Sequence, residues 1–95
     1  MRKFNSHSDA GHGWLAVKLE MLDKLGLLDK ISKFSYIKGK TVYLEEDCDA
    51  TLFVEAFKAR FGEIIMVNKW SERSPIRGYA SYSPEIARLI MERND

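Results

Sequence analysis

A chain of 95 residues that is 45% apolar, 31% charged and 12% aromatic has the composition of one folded globular domain rather than of a disordered segment. Its net charge of +1 argues against a general nucleic-acid binder, and its single cysteine, Cys48, excludes an internal disulfide and a cysteine-based zinc site. No apolar run approaches the ~20 residues of a membrane span, and the polar start lacks a signal-peptide core, so no membrane association is expected and the cytoplasm is the expected compartment.

Residues 1–12 are polar and rich in serine, glycine and histidine, and are expected to form an N-terminal arm. Trp14-Leu15-Ala16-Val17 suits a short strand, and Met21, Leu22 and Leu25 at helical spacing before Gly26 suit a short helix over Glu20–Leu25. A single helix from Trp14 to Leu25 competes, because Trp14, Val17, Met21 and Leu25 also share a helical face.

The segments Lys33–Ile37 and Thr41–Leu44 are β-rich and flank Gly39, which predicts a hairpin. A three-residue loop Ile37-Lys38-Gly39 would pair Tyr36 with Lys40 and Phe34 with Val42, gathering Phe34, Tyr36, Val42 and Leu44 on one face. Asp47 or Asp49 can then cap a helix reaching Phe61, with Leu52, Phe53, Ala56, Phe57 and Phe61 as its apolar stripe and Gly62 as its stop. Ile64–Val67, four apolar residues in a row, reads as a strand covered on both faces. Residues 71–81 form a loop. Ser83-Pro84-Glu85 opens a C-terminal helix over 84–93, placed to cover the second side of the 64–67 strand.

The order β-α-β-β-α-β followed by a helix predicts an α+β fold for the single domain 1–95. The expected core is a small antiparallel sheet, for which a ferredoxin-like split βαβ arrangement is the nearest pattern.

Three groups of residues have side chains suited to chemistry. His7, Asp9 and His12 have the donor types of a divalent-metal site, the one cofactor the residues suggest, but their spacing matches no established metal motif. Folding of the arm by local side-chain-to-backbone hydrogen bonds explains the same residues. The acidic run Glu45-Glu46-Asp47-Cys48-Asp49 lacks the spacing and glycine of a calcium loop, and its charge argues against Cys48 as a nucleophile. Finally, residues 70–82 interleave Arg73 and Arg77 with Trp70, Tyr79 and Tyr82. Such a mixture can anchor a protein interface, or grip phosphate while stacking on a base.

The pattern His7-x-Asp9-x-Gly11-His12-Gly13-Trp14-Leu15, with Leu25-Gly26, Phe34-Ser35-Tyr36, Val42 to Asp49 and Arg73-Ser74-Pro75-Ile76-Arg77, resembles small proteins of bacteriophage and prophage genomes that have no assigned activity. The resemblance spans most of the chain from His7 onward. It implies an accessory protein made inside a bacterial cell and transfers no catalytic residue. The expected function is therefore a non-catalytic module that binds a macromolecular partner, foremost a protein, through Trp70, Arg73, Arg77, Tyr79 and Tyr82. Two alternatives are a nucleic-acid-binding accessory protein using the same loop and a metal-dependent hydrolase using His7, Asp9 and His12. A homodimer is expected if the hairpin leaves an open sheet edge.

Overall fold

A computed structural model of the chain describes residues 2–93. In chain order these form β1 (Arg2–Ser8), β2 (Gly13–Lys18), α1 (Leu19–Lys24), β3 (Tyr36–Lys38), β4 (Thr41–Glu45), α2 (Asp49–Phe61), β5 (Ile64–Trp70), a 3-10 turn (Pro75–Gly78), β6 (Ala80–Ser81) and α3 (Pro84–Glu92). The fold is α+β. Its six strands make one sheet in the order β5-β1-β2-β4-β3-β6, antiparallel throughout except where β5 runs parallel to β1.

Taken without β1 and the two-residue β6, the remaining order β5-β2-β4-β3 is the split βαβ pattern expected from the element order. The departures are β6, added beside β3, and β1, which is wedged between β5 and β2. The expected N-terminal arm is thus an interior strand. Its sequence, Arg-Lys-Phe-Asn-Ser-His-Ser, carries one large apolar residue and no two-residue apolar period, so nothing local announces it. Pairing on both sides supplies what the side chains do not: β2 takes one edge from Asn5 to Ser8, and β5 takes the other along all seven residues.

One face of the sheet carries the main core. Phe4, Leu15, Val17, Ile37, Val42 and Leu44 meet Leu19, Met21 and Leu22 of α1 and Phe53 and Phe57 of α2. Phe4 stands edge-on to Phe53 and Phe57 at 5.2 and 5.3 Å, the favoured arrangement for ring quadrupoles. α3 joins this helical layer through buried Ala87 and an Arg88–Asp29 ion pair, with Ser83 accepting from the Ile86 amide as its cap. It does not cover the second side of residues 64–67. β5 is instead an edge strand with Ile65 and Met66 exposed, so the expectation of cover on both faces fails.

The hairpin also differs from expectation. Tyr36 pairs with Tyr43, Ile37 with Val42 and Lys38 with Thr41, leaving a two-residue loop, Gly39-Lys40. Gly39 has φ +60°, the first-position glycine that a tight hairpin turn matching strand twist requires. Ile37, Val42 and Leu44 then enter the core, while Tyr36 and Tyr43 point to the opposite face. The three-residue loop assumed that Phe34 belonged to the strand. It lies before β3 and is 70% exposed. The hairpin leaves no free edge either, because β6 pairs with β3.

At the start of α2 neither expected aspartate is the cap. Glu45, at the end of β4, accepts from the amides of Asp47 (3.0 Å), Cys48 (2.6 Å) and Asp49 (2.9 Å). Burial pushes the Glu45 carboxyl up, and these three amides outweigh it, leaving the group below its ordinary value. Asp49 is buried and turned the other way, accepting from the Ser32 amide (3.0 Å), the Ser32 hydroxyl (2.7 Å) and the Ser35 hydroxyl (2.5 Å). It fixes the loop that leads into β3.

Candidate functional site

The second face of the sheet gathers His7, Arg77 and Tyr79 of the predicted site residues. Directly paired residues share a face, so His7, Trp14, Ala16, Tyr43 and Tyr36 lie together on the side away from the helices. Residues 71–79 run over this face as a strap, from the end of β5 at one edge to β6 at the other. The strap is seated by buried Ile76, by Tyr79 packed on Tyr43 at 5.2 Å, and by Arg77 over the Trp14 ring at 5.8 Å. His7 stands edge-on to Tyr43 at 5.8 Å beneath it, its pKa lowered by burial and by the charge of Lys69.

The latch of the strap is Asp9. The segment His7–Trp14 closes β1 onto β2 through a turn at Asp9–His12, and the Asp9 carboxylate folds it by accepting from the amides of Gly11 (3.0 Å) and His12 (2.9 Å). The same carboxylate receives Arg77 in a fork, Nε to Oδ2 at 2.8 Å and Nη2 to Oδ1 at 3.0 Å, and the Ser74 amide at 3.3 Å. The Arg77 guanidinium, seconded by the backbone amides, holds the Asp9 carboxyl well below the usual carboxylate range. Gly11 makes room for this: a Cβ there would sit 2.8 Å from Arg77 Nη2, a group already fixed by its ion pair. Asp9 therefore spends its acceptors on the turn and the strap. Among the described residues no three of His, Cys, Asp and Glu are grouped as a metal ion would require, and His12 instead lies against Trp14 at 6.0 Å.

The predicted binding residues separate into two sets. Tyr82 is 1% exposed. Its hydroxyl donates to the Leu28 carbonyl at 2.5 Å, and burial pushes its pKa up to about 12. It is a core residue and cannot meet a partner. Arg77 is held by Asp9, and Tyr79 is half-buried between Tyr43 and Lys38, whose ammonium lies 4.7 Å over its ring. Trp70, 67% exposed, and Arg73 project outward, and the Arg77 side chain stays 45% exposed despite its fork with Asp9.

A cleft that sequence reasoning missed opens next to the latch. It has a volume of about 590 Å³ and runs between the β1–β2 turn, the loop before β3 and the junction of β4 with α2. Trp14, Tyr36 and Phe34 supply its aromatic wall, while Glu46 and Asp47 supply an exposed acidic rim. Trp14 and Tyr36 stand edge-on at 6.3 Å, so two of the three rings are fixed by each other. Phe34 is set on the rim by a turn in which its amide donates to the Ser32 hydroxyl (3.2 Å), itself anchored to Asp49. The sequence signal was present in the serines around Phe34 and in the Glu45–Asp49 run. Their convergence depends on the hairpin register.

His12 and Cys48 also line this cleft, yet among the described residues no hydrogen bond joins Cys48 to either histidine. The cleft combines fixed aromatic area, an exposed ring on its rim and negative charge. Among the described residues no helix is long and apolar enough to cross a membrane. Comparison with protein-family models, with curated protein sequences and with solved structures finds no match for this chain.

Proposed function

We propose that this chain is a non-catalytic binding module that docks a basic segment of a protein partner in the cleft walled by Trp14, Phe34 and Tyr36. The observation that carries this reading is Phe34. A phenyl ring 70% exposed contributes little to the core, yet here it is positioned at the mouth of a cleft beside Glu46 and Asp47. Aromatic faces beside carboxylates favour lysine or arginine side chains, by ring quadrupole and by charge. Cations already use these rings within the chain, with Arg77 over Trp14 at 5.8 Å and Lys33 over Phe34 at 5.9 Å.

The strap supports the reading less well, since Tyr82 is core, Tyr79 is half-buried and Arg77 is committed to Asp9, leaving Trp70 and Arg73 as its exposed side chains without such a tie. A nucleic acid is disfavoured at the cleft by the carboxylates on its rim. An accessory role inside a bacterial cell, in the cytoplasm, accords with the phage resemblance and with binding as the activity.

The test is an NMR titration of the full chain with a short lysine- and arginine-rich peptide, an acidic peptide and an oligonucleotide. Shifts confined to Trp14, Phe34, Tyr36, Glu46 and Asp47 with the basic peptide alone, lost in Phe34→Ala, are expected. No response to the basic peptide overturns the reading, as does oligonucleotide binding that weakens steeply with salt.

A further inference from the structure

The sheet has two ends of unequal character. At one, β6 is two residues long, too short to template another strand. At the other, β5 is seven residues long and pairs with β1 only, so its outer row of amides and carbonyls has no strand against it among the described residues. Edges of this kind usually carry prolines, bulges or several charges. β5 carries Ile64, Ile65, Met66, Val67 and Trp70, with Ile65 39%, Met66 45% and Trp70 67% exposed.

The charges that do occur are placed symmetrically. Glu63, just before the strand, and Lys69, near its end, are each three residues from Met66. An antiparallel copy of the same segment, centred on Met66, sets Glu63 opposite Lys69 of the partner subunit, and Lys69 opposite the partner subunit's Glu63. On the same face, Ile65 meets Val67 of the partner subunit, and the reverse pair repeats it. The result is an apolar centre bounded by two ion pairs. On the other face Met66 meets its own copy.

We propose that the β5 edge pairs with the β5 edge of a second copy of this chain, antiparallel and in register about Met66. The two six-stranded sheets then join into one of twelve strands around a two-fold axis. Because the other end is only the two-residue β6, association stops at two copies instead of extending into a filament. Glu63 exchanges its present exposed partner, Lys58 at 3.4 Å, for Lys69 of the partner subunit, a substitution of one surface pair for another.

The experiment is sedimentation velocity of the full chain over a concentration series reaching about 1 mM, where even a pair with a Kd of about 1 mM is half formed. A concentration-dependent dimer is expected. Met66→Lys, which sets two ammonium groups face to face on the axis, should leave a monomer with an unchanged circular dichroism spectrum. Glu63→Lys and Lys69→Glu should each weaken association by about tenfold, and the double variant should restore it. This rescue reads the register, which general stickiness would not reproduce, and it remains decisive if Met66→Lys fails to fold. A wild-type chain monomeric throughout the series overturns the proposal. So does a dimer indifferent to all three single substitutions, or a mass that climbs past two copies.

Discussion

On its helical face the sheet is held by apolar side chains that interlock without polar help, Phe4 against Phe53 and Phe57 and Val42 and Leu44 at full burial. On the opposite face it is crossed by a polar strap that contributes one buried aliphatic residue, Ile76, and is fixed by the fork between Arg77 and Asp9. The first face gains its stability from area removed from water, which many residue choices could provide. The second depends on a few directed contacts, and so demands particular residues at particular places. Arg77 and Tyr79, residue types suited to partners, are engaged in this way, and the aromatic cleft lies beside the strap.

That contrast can be broken or sharpened by substitution. The largest effect is expected on the helical face: Phe53→Ala removes a fully buried ring and should lower stability by about 3–5 kcal/mol, read from the shift in urea midpoint at constant slope. Below it, Asp49→Ala strips the acceptor from three hydrogen bonds and leaves the buried Ser35 hydroxyl without it, at a cost of about 2–3 kcal/mol. Hydrogen exchange should locate the loss in residues 32–36.

The latch should give a smaller effect with its own pH signature. The folded-state pKa of Asp9 lies below its unfolded value, so the stability it contributes is complete above the ordinary aspartate range and is lost as pH falls through the depressed folded value. Wild type should therefore be more stable than Asp9→Asn at neutral pH. The advantage should shrink on acidification below about pH 4, as followed by urea midpoints at a series of pH values. An advantage that grew on acidification would show that the fork is not the source. The smallest effect belongs to the cleft. Phe34→Ala should change stability by less than about 0.5 kcal/mol, since the ring is mostly in water, while abolishing the response to a basic peptide.

Local pattern carried much of the fold. The strand at Trp14–Val17, the helix ending at Phe61 before Gly62 and the Ser83-Pro84 helix start all depend on neighbours in sequence, and each is found where spacing puts it. β1 was illegible because its stability comes from strands on both sides. The hairpin register is not legible locally, because Phe34 has the residue type of a core strand but precedes the strand. The turn role of Asp9 was readable from Asp9-x-Gly11-His12. Its second role was not, because Arg77 lies 68 positions away.

The sequence by itself determined the α+β class, the order of the elements from β2 to β5 and the start of α3, since burial and periodicity are properties of short stretches. Only the tertiary structure decided that residues 2–8 form an interior strand, that Asp9 serves a strap instead of standing free, that Tyr82 is core, and that β5 is an open edge. Each of these depends on which distant segments become neighbours. Backbone pairing and directed polar contacts act at hydrogen-bond range, so they exist only once the chain has brought those segments together.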